Sequence, residues 1–259
     1  MNQKRIHQLL KFVNYLLTGG LIFILTACQS PFRRTYYSNY FQPGFECSSE
    51  PVGRNEDKFK RYLIGWELVK NDYNNQNKSK GKADVVLIGD SLVHLFPPSF
   101  IASEFFGIDI VLRGIGGDRT YTLLNRIEEN ALSLNPKTII LEIGGNDLID
   151  EKCLDFLEGN VQKLIQKIKS YNSNTNIIFL AVPPTTRPEL NSIVPTYNAF
   201  LQNLAYNDKK IKYLDAWTEM RSNKKPTIKD EYIRPGDDIH FNENAYKVWG
   251  KLIRKALKE

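Results

Sequence analysis

Four short stretches of the chain hold side chains and glycines suited to one reaction: Gly89-Asp90-Ser91-Leu92, Gly114-Ile115-Gly116-Gly117-Asp118, Gly144-Gly145-Asn146-Asp147 and Asp237-Asp238-Ile239-His240. In chain order they offer a nucleophilic hydroxyl, a backbone oxyanion donor, a side-chain oxyanion donor and a carboxylate–histidine pair. Ester cleavage by a serine needs those parts: a hydroxyl activated by a general base, and N–H groups aimed at the negative charge that develops on the carbonyl oxygen.

Each stretch also has a plainer use. Ser91 follows an apolar run at the start of a helix, where a serine serves as an N-cap or as a nucleophile whose developing charge the helix N–H groups stabilise. Asp90 organises that turn. No Gly-x-Ser-x-Gly occurs, so the elbow of the α/β-hydrolases is absent. The glycines of 114–117 miss the dinucleotide spacing, because Arg119 stands at the third glycine's place; a turn exposing the Gly117 N–H is the better account. Asn146 could cap the next segment or form an Asx-turn, or it could donate its amide to an oxyanion.

Beyond residue 28 the histidines are His94 and His240. His94 lies three residues from Ser91 on the same expected helix and has no carboxylate at a fixed local spacing, so it reads as pocket-lining or surface. His240 has Asp237 three positions earlier, after Pro235-Gly236. A tight turn there can bring the carboxylate to one ring nitrogen and aim the other at Ser91; alone, the same motif would be a loop capping the last helix.

Alternating strands and helices must position these groups. Apolar runs predict strands at Val85–Ile88, Ile108–Leu112, Thr138–Ile143, Ile177–Val182 and Ile211–Leu214. Helical stretches are expected near 56–72, 92–104, 120–132, 155–171, 195–207 and 242–258, with a polar loop from Asn71 to Lys82. Nearly continuous apolar strands separated by helices imply an α/β fold with a mostly parallel five-stranded sheet covered on both faces. Such sheets bind ligands beyond the carboxyl ends of their strands, and Ser91, Gly117 and Asn146 all fall just past expected strand ends.

The N-terminal segment does not belong to that domain. Lys4, Arg5 and Lys11 precede an uncharged, largely apolar run from Phe12 to Leu25, closed by Leu25-Thr26-Ala27-Cys28. The run is short for a membrane span and suits a secretory signal, and small residues before Cys28 resemble a bacterial lipobox. The expected organisation is a lipoprotein signal peptide at 1–27, a lipidated Cys28 with a flexible tether to residue 55, and one catalytic domain at 56–259. Acyl chains on Cys28 would hold the protein at a membrane of the bacterial cell envelope, and Gln29 leans toward the outer membrane. Losing residues 1–27 lowers the formal charge from +6 to +3, a surplus that does not indicate nucleic-acid binding. No zinc-ligand spacing of Cys and His occurs, and no metal or other cofactor is expected. Cys47 and Cys153 could pair in an oxidising compartment or remain free thiols.

Together the motifs resemble the SGNH, or GDSL, hydrolases over roughly residues 57–258. Gly-Ile-Gly-Gly-Asp looks most like the platelet-activating-factor acetylhydrolase-like and acetylesterase branches, and Gly-Gly-Asn-Asp also looks like the thioesterase/lysophospholipase branch. The resemblance implies a three-layer α/β/α, flavodoxin-like fold and Ser91 as nucleophile, His240 as base and Asp237 as its orienter, with the N–H groups of Ser91 and Gly117 and the Asn146 amide as oxyanion donors. Asp238 stands where many relatives have Gly, and Leu112 where many have Asn. The expected function is a lipid-anchored serine ester hydrolase working through an acyl-enzyme on small acyl, chiefly acetyl, esters of carbohydrate or cell-envelope polymers. The alternatives are a lysophospholipase or thioesterase acting on longer chains, and a non-catalytic envelope binding lipoprotein on the same scaffold.

Overall fold

The computed structural model describes residues 38–51 and 56–258. Cys28, its signal segment and the first part of the expected tether lie outside them. A long helix α1 (Glu56–Lys80) leads into β1 (Val85–Gly89), and two short helices follow, α2 (Ser91–His94) and α3 (Pro98–Glu104). Next come β2 (Ile110–Gly114), α4 (Thr120–Asn130), β3 (Thr138–Glu142), α5 (Gly145–Ile149) and α6 (Leu154–Tyr171). The rest is β4 (Asn176–Leu180), α7 (Pro188–Asn207), β5 (Ile211–Leu214), α8 (Ala216–Met220) and α9 (Glu243–Lys258).

The strands form one parallel sheet in the order β2-β1-β3-β4-β5, as the apolar runs imply. Side chains alternate across each strand, so the sheet feeds two cores. Val86, Ile88, Ile139, Leu141, Ile177 and Phe179 pack against α4, α6 and α7. Val85, Leu87, Ile140, Ile178 and Leu180 pack on the other face against α2, α8 and the α9 residues Tyr246, Trp249 and Ile253. The chain leaves β1 toward one edge and returns on its other side as β3. A topological switch point therefore lies between the two, where such sheets hold their ligands. Ser91 and Asn146 follow those two strands.

Several boundaries differ from the sequence expectation for physical reasons. α1 continues through Asn71–Lys80, which reads as a loop because that half attaches by polar contacts. Tyr73 Oη donates to Gly114 O at 2.7 Å, and the buried Asn77 amide donates to Glu129 O and Asn130 O at 2.9 and 3.1 Å. β2 lies two residues later than expected and contains Arg113, whose guanidinium donates to Asn77 Oδ1 and lies over the Tyr73 ring. Pro97-Pro98 splits the helix expected at 92–104, with Pro98 at a first-turn position where no N–H is needed. α7 begins at Pro188 and carries Pro195 inside it; buried Leu190, Ile193, Val194, Tyr197 and Leu201 hold the helix across the missing N–H.

The tether reading is corrected for its described part. Residues 38–51 form a strap fixed to the domain: Cys47 and Cys153 are disulfide-bonded, Ser48 pairs with Lys152 as an isolated bridge, and the Ser38 N–H donates to Ser192 Oγ. Composition alone, rich in Ser, Tyr, Pro and Gly, does not reveal a covalent anchor more than a hundred residues away.

Candidate active site

Ser91 sits at the first position of α2, immediately beyond β1. Asp90, not Ser91, is the helix cap: its Oδ1 accepts the Leu92 N–H at 2.9 Å. That leaves the Ser91 hydroxyl free to face the loop before α9, where its Oγ lies 2.8 Å from His240 Nε2. His240 Nδ1 lies 2.8 Å from Asp237 Oδ2. A carboxylate can only accept, so Nδ1 carries the proton and Nε2 accepts the serine O–H. Asp237 Oδ1 accepts the N–H groups of Ile239 and His240 at 3.0 and 2.9 Å, so one tight turn fixes both the carboxylate and the ring it orients. Burial pushes the Asp237 carboxyl up, but those two N–H groups and the ring outweigh it and hold the group below its ordinary range.

The glycine turn after β2 lies against the same serine. A Cβ placed on Gly116 would sit 3.9 Å from Ser91 Cβ. Gly117 has φ +78°, and a Cβ there would lie 3.0 Å from the Tyr62 ring, so α1 closes over a backbone that only glycine suits. His94 is exposed and its Nδ1 accepts the Gly116 N–H at 3.2 Å, away from the base position. Asn146 comes from α5, which Gly144 starts at φ +114° with the Tyr197 ring where a side chain would go. The Asn146 amide nitrogen donates to Asp90 Oδ2 at 3.1 Å and to Asp118 O at 3.0 Å. The structure thus brings Ser91, Gly117, Asn146, Asp237 and His240 to one edge of the sheet.

Beneath this edge lies a buried polar frame that residue spacing does not reveal. Asp118 is fully buried and accepts from Arg126 Nε at 2.8 Å, Thr122 Oγ1 at 2.6 Å and Trp66 Nε1 at 3.0 Å. Arg126 also donates to the carbonyls of Gly89 and Arg113 at 3.0 and 2.9 Å, joining the ends of β1 and β2. Asp147 accepts the Thr120 N–H and hydroxyl at 2.9 and 2.7 Å, and burial pushes its carboxyl up to about 7. Arg119 donates to Gly117 O and pairs with Asp150, linking the glycine turn to α5. Asp118 and Asp147 stand inside the quoted motifs, a usable signal; Arg126, Trp66 and Glu142 carry none. Leu112 is half-buried and packs against the core beside its strand, and Asp238 accepts from Thr186 on the neighbouring loop.

Beside Ser91 and Asn146 a cavity of about 30 Å³ opens between Leu148, Val182, Leu190, Val194 and Ile239. Its walls are mostly apolar, and the serine, the Asn146 amide and the buried carboxyls of Asp90 and Glu142 also line it.

Comparison with known proteins shows the family and the fold. Residues 87–248 match the model of the GDSL-like lipase/acylhydrolase family. A rice (Oryza sativa subsp. japonica) GDSL esterase/lipase, WDL1, is 25% identical over 178 residues, which is 58% of this chain and 66% of that protein. Among solved structures, a candidate platelet activating factor from Streptococcus pneumonia superposes with TM-score 0.68 at 22% identity, covering 78% of this chain and 100% of its own. A GDSL-like lipase from Bacteroides thetaiotaomicron does so with TM-score 0.64 at 20% identity, covering 73% and 97%. With the matched segment running from β1 into α9 and over more than half of its length, the chain belongs to the GDSL-like lipase/acylhydrolase family of serine ester hydrolases.

Proposed function

We propose that the protein is a lipid-anchored esterase that removes short acyl groups, chiefly acetyl, from carbohydrate or other cell-envelope esters through an acyl-enzyme on Ser91. The observation that carries this reading is the hydrogen-bonded chain from Ser91 Oγ to His240 to Asp237, both links at 2.8 Å.

In this mechanism Ser91 Oγ attacks the ester carbonyl while its proton passes to His240 Nε2. The C=O electron pair moves onto oxygen, and the oxyanion receives the N–H groups of Ser91 and Gly117 and one N–H of Asn146. Asp237 stabilises the imidazolium and holds its tautomer. When the tetrahedral species collapses, the C–O bond to the alcohol breaks and His240 returns the proton to the leaving oxygen. Water then repeats the sequence on the acyl-enzyme and releases the acid.

Cavity size supports the short acyl group. A single water needs about 10–15 Å³, so a space of about 30 Å³ with apolar walls suits an acetyl or similarly small group better than a fatty chain. The anchor rests on the lipobox ending at Cys28.

An ester series from p-nitrophenyl acetate to long acyl chains, with lysophospholipids, tests the reading against Ser91→Ala and His240→Ala. Activity falling with acyl length and lost in both variants is expected. Equal activity in wild type and variants would end the mechanism, and a preference for long chains would favour lysophospholipase or thioesterase action. No turnover of any ester would favour a binding protein. Cys28→Ser should move the protein from the membrane to the soluble fraction; unchanged retention would remove the lipid anchor.

A further inference from the structure

Glu142, the last residue of β3, is fully buried and lines the cavity beside Ser91. Among the described residues no N–H or hydroxyl reaches either of its carboxyl oxygens. Asp90, itself buried, lines the same cavity, and its carboxyl is the charged group that bears on Glu142. Two carboxylates in one buried site cannot both be charged without a large cost. Asp90 has two N–H donors, Leu92 N on one oxygen and the Asn146 amide on the other, whereas Glu142 has none. The negative charge therefore belongs on Asp90, and the proton of the pair belongs on Glu142. Burial raises both groups, Asp90 to about 6 and Glu142 well above its ordinary range, so the singly protonated pair is the neutral-pH form. Other ionisable groups near the pair are Asp118 of the glycine turn, His240, Tyr246 of α9 and Tyr197 of α7.

Asn146 gives this pair a consequence. Its amide nitrogen has two hydrogens, and at rest both are committed, one to Asp90 Oδ2 and one to Asp118 O. An oxyanion donor must give up one of these. Turning from Asp90 would strip a buried carboxylate of a partner, which is costly unless another donor remains.

We propose that Glu142 is a positioning residue for the oxyanion hole: its acid O–H holds Asp90, so the Asn146 amide can transfer one N–H from Asp90 to the developing oxyanion. The inference rests on the oxyanion role proposed for Asn146. Glu142 touches no reacting atom and acts through Asp90.

The test is a set of kcat and KM measurements on p-nitrophenyl acetate with wild type, Glu142→Gln, Glu142→Leu, Asn146→Ala and the Glu142→Leu/Asn146→Ala double variant. Glutamine keeps the shape and offers an N–H to Asp90, so Glu142→Gln should stay within about threefold of wild type in kcat. Leucine offers no donor, and kcat should fall about 10–100-fold, the loss of one charge-assisted hydrogen bond, with KM little changed. Asn146→Ala should cost about 10²–10³ in kcat. The double variant should be no slower than Asn146→Ala alone, because Glu142 then has no amide to release.

Multiplying losses in the double variant, an unchanged kcat in Glu142→Leu, or a Glu142→Gln variant as slow as Glu142→Leu would each overturn the inference. An unchanged kcat in Asn146→Ala would instead overturn the oxyanion reading on which it rests. If Glu142→Leu does not fold, infrared difference spectra of wild type against Glu142→Gln decide the matter. A protonated-carboxyl stretch present at neutral pH in wild type and missing in the variant is expected, and its absence from wild type would overturn the inference.

Discussion

The two halves of the catalytic edge are built differently. The base half is local: Asp237 and His240 lie three residues apart in one turn, bonded to each other and to their own backbone, with side chains 26% and 24% exposed. The oxyanion half is assembled from α1, the ends of β1 and β2, α4 and α5, and its central pair, Asp118 and Arg126, is 0% exposed on both sides. One half is a loop laid on the fold, and the other is continuous with the core. Chemistry and stability should therefore separate in the first and travel together in the second.

Asp237→Asn is the largest break expected. The amide can still fill the turn, but it can present an N–H to the ring where the carboxylate accepted one, favouring the wrong tautomer. Replacing the triad carboxylate in this way costs about 10⁴ in kcat. A partly exposed loop residue should leave stability within about 0.5 kcal/mol. Turnover of p-nitrophenyl acetate and a urea titration on the same sample check both. A comparable loss of stability would mean that the loop is part of the cooperative core after all.

Arg126→Met tests the other half. Methionine fills much of the volume but leaves Asp118 buried beside Trp66 and Thr122 without its cation, and takes the guanidinium from the carbonyls of Gly89 and Arg113. Removing one partner of a buried ion pair costs about 3–5 kcal/mol. The urea midpoint should fall accordingly, with activity lost together with the fold. A variant as stable as wild type, with turnover alone reduced, would erase the contrast between the halves.

That contrast also explains what could be read from the sequence. Strand types and order of appearance are legible because Val85–Ile88, Thr138–Ile143 and Ile211–Leu214 are short runs rich in β-branched, aromatic and aliphatic residues. Asp237 and His240 were legible because a three-residue spacing carries their geometry with it. Ser91 was legible as a position, but only the structure shows that Asp90 takes the cap and leaves its hydroxyl to His240. The polar half of α1 reads as a loop because Tyr73 and Asn77 bind carbonyls rather than forming an apolar stripe, and hydropathy does not register that. Arg126 and Glu142 were not legible at all. Each looks like an ordinary surface charge until the fold buries it, Arg126 against Asp118 and Glu142 in the cavity that Asp90 also lines.

The smallest expected effect sharpens the comparison through pH. Asp147, next to Asn146, is raised to about 7, first by burial, with Thr120 donors only partly offsetting it. Its folded value lies above the ordinary carboxylate value of about 4, so the folded protein holds a proton that the unfolded chain releases. The sign follows from proton linkage: this group's contribution is full below about pH 4 and is lost as pH rises toward about 7, by up to about 4 kcal/mol. Asp237 has the opposite sign, because its carboxyl is lowered; its contribution is present above the ordinary carboxylate value and disappears as pH falls through the folded one. Asp147→Asn keeps a carbonyl for the Thr120 N–H and cannot ionise. Melting temperatures measured from pH 4.5 to 8 should therefore decline less steeply for this variant than for wild type, whose remaining slope comes from Asp90 and Glu142. Parallel curves would mean that Asp147 is ionised throughout, and that the oxyanion half is framed by charge rather than by a held proton.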